Sequence, residues 1–334
     1  MVISEVAVTP SGVSQRGLAL KPALRLGELR STLENLAKRQ EDRLVPVDKV
    51  SMNINGELRV NYTENYPVRD HALGQIAAKL KIPGSYLRRC DPALRSQNVA
   101  RWLKDLDGQL LLRLEDGEVR AVLSDSYRPI SHLQILDWLS KKLKETTPVR
   151  YELSETSLEL QILRDRPDGD RRDPLHGGIH LRNSEVGAAK VSISTLVFRQ
   201  VCLNGLIMGG GSWSYQRRHV GEADIVEQVN GAFVKALDLS TTVITSFRGT
   251  AGVVIKDPMA ALAKVAERYE LTEGEAVATR AAFNVEPAGS LFGVINAVTR
   301  AGNDATLSLE ARHKLQTIGG RLVELAGTGR RWLD

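Results

Sequence analysis

The sequence predicts an α+β protein: an antiparallel β-sheet core with flanking helices, followed by an α-helical C-terminal part. Two observations carry that prediction. Between Val45 and Met208, short runs of alternating polar and apolar residues recur with hairpin dipeptides between them, the pattern of antiparallel strands. After Gly221 the composition shifts to helix formers with apolar residues at helical spacing. The expected division is an arm over residues 1–20, an α+β core over 21–221 and a helical region over 222–334.

Residues 1–20 are irregular, with Pro10, Ser11 and Gly12 breaking any pattern, and read as an arm that orders against a neighbour. Leu24, Leu26, Leu29, Leu33 and Leu36 then mark an amphipathic helix. Asn55-Gly56, between Val50–Ile54 and Leu58–Tyr62, predicts a tight hairpin, because both central residues of such a turn need positive φ. Asp70 is placed to cap a helix over His71–Leu80, and Tyr86–Arg89 and Pro92–Leu106 supply further helical segments. A second hairpin joins Gln109–Leu114 to Val119–Leu123 through Asp116-Gly117, and His132–Leu143 is helical. Residues 148–154 and 157–163 read as an antiparallel pair. Arg164–Asp173, with four arginines and four aspartates, reads as a long loop. Ile179–Arg182 and Lys190–Ile193 look like strands. Helices are expected over Ile225–Phe247, Met259–Tyr269, Glu273–Phe283, Leu291–Thr299 and Leu309–Leu325.

Composition narrows the function classes. A net charge of +5 and a pI near 9.2 suit a phosphate-bearing partner without demanding one. Two cysteines, Cys90 and Cys202, do not make a disulfide framework and fit a reducing compartment. With no long apolar run and no leader pattern at Met1–Pro10, the expected location is cytoplasmic, away from a membrane.

Most chemical signatures fail on spacing. Gly209-Gly210-Gly211-Ser212 lacks the lysine and hydroxyl that end a phosphate loop. His176 and His180 offer two imidazoles, but the glycines between them oppose the helix that would align both, so no metal is assigned there. Cys202 sits in an apolar run, where a buried inert thiol is the default. No catalytic residue and no cofactor are assigned. The arginines carry more. Arg120, Arg128, Arg182, Arg199, Arg217 and Arg218 lie at strand ends or turns, and Tyr127, Trp213 and Tyr215 accompany them. Guanidinium groups for phosphates and ring faces for bases are what a single nucleic-acid strand needs. The competing structural reading pairs Arg128 and Arg199 with Asp125 and Glu185 in a buried network that only holds the fold.

Four blocks also carry a resemblance: Arg120–Pro129, Arg182–Gly187, Phe198–Leu206 and Asn296–Arg300. In these the sequence resembles the phage and plasmid-like proteins that contain the domain of unknown function 932. That family supplies no activity or catalytic residue; it implies a mobile-element context, where replication and recombination proteins are common. The resulting expectation is an oligomeric single-stranded DNA-binding protein that promotes strand annealing. The alternatives are a metal-dependent enzyme acting on nucleotides or nucleic acid, with Asp125, Glu185 and His176 or His180 around the ion, and a structural or regulatory partner-binding protein.

Overall fold

A computed structural model describes residues 24–164, 166–168, 172–209, 214–217 and 225–328. The expected N-terminal arm, Gly210–Trp213 and Arg218–Gly221 lie outside them. The chain runs β1 (Leu24–Arg25), α1 (Leu26–Ala37), β2 (Gln40–Pro46), β3 (Val50–Met52), β4 (Leu58–Val60), β5 (Glu64–Tyr66), α2 (Asp70–Lys79), α3 (Gly84–Arg89), α4 (Pro92–Leu103), β6 (Gln109–Glu115) and β7 (Glu118–Ser124). It continues through α5 (His132–Ser140), β8 (Pro148–Leu153), β9 (Leu158–Leu163), β10 (Leu175–Asn183), β11 (Val191–Arg199), β12 (Asn204–Ile207) and β13 (Ser214–Arg217). The helices α6 (Ile225–Gly249), α7 (Pro258–Arg268), α8 (Glu273–Val285), α9 (Leu291–Ala301) and α10 (Leu309–Gly327) complete it. The antiparallel sheets and the helical C-terminal part make this an α+β fold. Among the described residues no helix is long and apolar enough to cross a membrane.

Three sheets organise the chain. The largest has the order β1-β8-β9-β10-β11-β12, with β13 pairing the first half of β11; β2-β6-β7 and β3-β4-β5 form the other two. At Asp116-Gly117 both residues take positive φ, 52° and 77°, and the strands close around a two-residue turn as expected. The first hairpin departs from its prediction. Only Gly56 is left-handed, at φ 81°, because Asn53 Oδ1 accepts from the N–H groups of Asn55 and Glu57 and organises a longer turn. A second correction concerns α2. Asp70 is its first helical residue and pairs with Arg88, and Arg69 stands at the cap position, its side chain bonded to Glu115 and Glu118 and making no cap bond to the helix.

The large sheet has two unlike faces. Leu158, Leu160 and Ile162 of β9 align with Ile179 and Leu181 of β10 and with Ile193 of β11, and α1, α5 and α6 bury this apolar face. Each such side chain contributes about 1.5–3 kcal/mol. On the opposite face the register aligns Arg150 and Glu152 of β8 with Gln161 and Glu159 of β9, and those with His180 and Arg182 of β10. Period-two alternation thus puts a polar patch on one side of a buried sheet. Toward β12 the same face becomes apolar through Leu163, Leu196, Phe198 and Ile207.

Helix α10 closes the β12 side of the sheet. At Gly320 an added Cβ would stand 2.1 Å from the Ile207 carbonyl oxygen, so glycine is what lets the helix backbone come this close. The close approach fixes the height of α10 over the sheet and therefore the position of its N-terminal half, which carries Arg312, His313 and Gln316 over the polar patch.

Candidate metal centre

The four resembling blocks pair off in space. In the first junction Arg120 bonds Glu115 and Glu185, each at 2.9 Å, Arg113 donates to the Glu185 carbonyl, and the His132 N–H donates to Glu185 Oε1 at 2.7 Å. Tyr127 donates its hydroxyl to the Ser184 carbonyl. Burial would raise the Glu185 carboxyl, but His132, Arg120 and Arg113 outweigh it and hold it below the usual range. In the second junction Arg199 pairs with Asp173 at 2.7 Å and in a bidentate way with Glu286 at 2.7 and 2.8 Å, while Asn204 donates to Asn296 and Thr299. The Arg199 bonds bring Glu286 down to about 2. Cys202 donates its thiol to Glu286, and burial with that bond pushes it up to about 11, which keeps it protonated and inert.

The remaining arginines stand elsewhere. Arg182 faces Glu159 at 3.4 Å. Arg128 is exposed and donates to the carbonyls of Asp125 and Tyr127. Tyr215 and Arg217 both donate to Gln228 of α6, and Trp213 and Arg218 lie outside the described residues. The buried network exists with partners other than those expected: Glu185 takes Arg120, and Arg199 takes Asp173 and Glu286. The expected metal set also separates. Glu185 belongs to the first junction, and both ring nitrogens of His176 are used, by the Arg164 carbonyl and by Gln200, each at 3.1 Å. His176 and His180 share a face of β10, but four residues of strand hold them about 13 Å apart.

His180 finds different company. Its Nε2 lies 3.1 Å from Glu159 Oε2, and His313 Nδ1 lies 3.6 Å from the same oxygen. Candidate ligand atoms of the three residues all fall within 4.8 Å of one another. Burial pushes His180 below its ordinary value against the pull of Glu159, so its imidazole is neutral. Burial alone would raise Glu159, yet the hydrogen bond to His180 and the nearby His313 imidazole hold it below the usual carboxylate range. A neutral imidazole and a carboxylate are the ligand forms. Glu159 Oε1, His180 Nδ1 and His313 Nδ1 are buried without a hydrogen-bond partner among the described residues.

This cluster floors a cavity of about 450 Å³ between β8, β9 and α10, to which Glu159 and His313 contribute side chains while His180 lies beneath. Arg312 of the wall pairs in a bidentate way with Glu152. A larger cleft of about 930 Å³ lies beside the first junction, but its arginines, Arg69, Arg113 and Arg120, are all committed to carboxylates. Comparison with protein-family models, with curated proteins and with solved structures finds no match.

Proposed function

We propose that the protein is a metal-dependent enzyme with one divalent transition metal held by Glu159, His180 and His313. The observation that carries this reading is the donor set itself: two imidazoles and a carboxylate converging at the floor of a cavity. Three protein ligands leave a position for water or substrate, the arrangement of catalytic rather than structural sites, and the His₂Glu set suits Zn²⁺ or Fe²⁺. Bound there, such an ion would supply Lewis-acid polarisation of a water or substrate oxygen. Titrating chelator-treated protein with Co²⁺ tests this: one equivalent and a visible ligand-field spectrum are expected, lost in His313→Ala and kept in His176→Ala. Absence of binding, or equal binding by His313→Ala, refutes the reading.

Single-strand DNA binding, with or without annealing, has less support. Of the nine residues expected to hold a strand, Arg120 and Arg199 serve carboxylates in the interior, and Arg182 faces Glu159. Exposed Arg128, with Tyr215 and Arg217, is what favours it. The resemblance to the family with the domain of unknown function 932 rests on the four sequence blocks, which meet two by two in the fold. Anisotropy of labelled single strands across a salt series separates the readings, since phosphate contacts give a steep loss with salt.

A further inference from the structure

The cavity over the candidate metal centre holds a cation, Arg150, that pairs with no carboxylate among the described residues. Arg150 projects from β8 onto the polar sheet face, opposite Gln161. Its Nη1 is buried without a hydrogen-bond partner among the described residues. Burial, with no carboxylate to offset it, pulls its guanidinium down to about 10. The other interior arginines behave differently: Arg113 pairs with Asp42, Arg120 with Glu115 and Glu185, Arg199 with Asp173 and Glu286, and Arg312 with Glu152. Glu152, two residues along the same strand face, is therefore already taken. Arg150 is half-buried, and a cation held there without a carboxylate partner favours a counterion from outside the chain.

Geometry says what shape that counterion has. The guanidinium carbon stands 4.1 Å from the centroid of the Phe198 ring, so the ring covers one face of the cation. A guanidinium donates in its own plane, and stacking leaves the in-plane N–H groups free. That fork matches two oxygens of one carboxylate or phosphate. The cavity of about 450 Å³ has the size of a small-molecule site, with Gln161, Gln316 and Asn303 as neutral orienting groups and Leu203 and Leu309 as apolar walls.

We propose that this cavity takes a small anionic substrate, a carboxylate or phosphate compound whose charged group sits on Arg150 beside the Glu159–His180–His313 centre. As an assignment of substrate this rests on the metal-dependent reading; as an anion site it stands on Arg150 alone.

Two titrations on the same full-length chain keep those apart. Isothermal calorimetry of chelator-treated protein with inorganic phosphate and with acetate measures the anion site, and the two probes distinguish the sources. At least one is expected to bind, about tenfold or more weaker in Arg150→Gln and intermediate in Arg150→Lys, which keeps the charge and loses the fork. Arg101→Ala, on the exposed side of α4, is expected to bind as the parent does. Urea unfolding of Arg150→Met without anion checks the premise: an unpaired charge replaced by an apolar side chain leaves stability equal or higher. A clear loss of stability in Arg150→Met, or anion affinity unchanged in Arg150→Gln, overturns the proposal. Neither probe binding the parent chain overturns it too. The separate Co²⁺ titration reports the metal: Co²⁺ bound and no anion sinks the Arg150 assignment only, whereas anion bound and no Co²⁺ leaves an anion site and sinks the enzyme.

Discussion

Replacing Gly320 by alanine puts the height of α10 to the test. The new Cβ would meet the Ile207 carbonyl oxygen at 2.1 Å and its carbon at 2.8 Å, where an ordinary contact needs about 3.4 Å or more. The obstacle is backbone of a strand bonded into a sheet, so the helix has to retreat, by roughly 1 Å. Overpacking of this kind costs about 1–3 kcal/mol, and the retreat also opens the contacts behind it. Alanine returns about 1 kcal/mol in helix propensity, which leaves a net loss of up to about 2 kcal/mol. Gly231 of α6 is the internal standard: nothing lies within 4 Å of its added Cβ, so Gly231→Ala gains about 1 kcal/mol. Urea midpoints at unchanged m-values read both, with opposite signs expected. Because His313 rides on α10, Gly320→Ala is also expected to weaken Co²⁺ binding about tenfold or more. Equal stabilisation by the two alanines, with metal binding intact, refutes the close approach.

Further expectations follow from the two junctions. Arg120→Met leaves Glu185 without its ion-pair partner, while Glu115 keeps Arg69, and costs about 3–5 kcal/mol in urea unfolding, part of which returns in the double variant with Glu185→Gln; strict additivity of the two changes refutes the pair. Glu286 has its folded pKa depressed, so its contribution is complete above the unfolded carboxylate value of about 4.3 and lost as pH falls through about 2. Glu286→Gln is therefore less stable at neutral pH and flatter between pH 4 and 2; an unchanged acid limb counts against the Arg199 pairing. Cys202, buried with its thiol raised to about 11, reacts with a thiol reagent at pH 8 only as fast as the chain unfolds. Immediate labelling of Cys202 in the native protein contradicts its bond to Glu286.

What the sequence discloses is what neighbours in the chain decide. The Asp116-Gly117 hairpin and the five C-terminal helices depend on local φ demands and helical spacing, and they form where they are expected. The Asn53–Glu57 turn shows the limit of a dipeptide signal, since a side chain two residues earlier outcompetes it. Strands β10 and β11 run to nine residues each, well past the short segments expected, because burial on both faces erases the alternation that marks a strand. Glu159 and Gln161 were visible as alternating polar positions, and His180 as an odd histidine. Their meeting with His313 was not, because it depends on how α10 lies over the sheet. Arg120 and Arg199 stand out in the sequence, but Glu185 and Glu286, with which they pair, lie 65 and 87 residues away, beyond any local pattern.

The second junction also sets an order of events during synthesis. Arg199 ends a central strand, yet Glu286, its bidentate partner, is made 87 residues later. At about 5–20 residues per second the ribosome takes roughly 4–17 s to supply it. Through that interval the guanidinium has water as its main solvent, and the end of β11 gains little by burying it. The nascent sheet therefore has reason to stay open at this corner until α8 has emerged. A ribosome stalled after β13 and before Glu286 would hold a chain whose strands have all been made but whose corner is still wet.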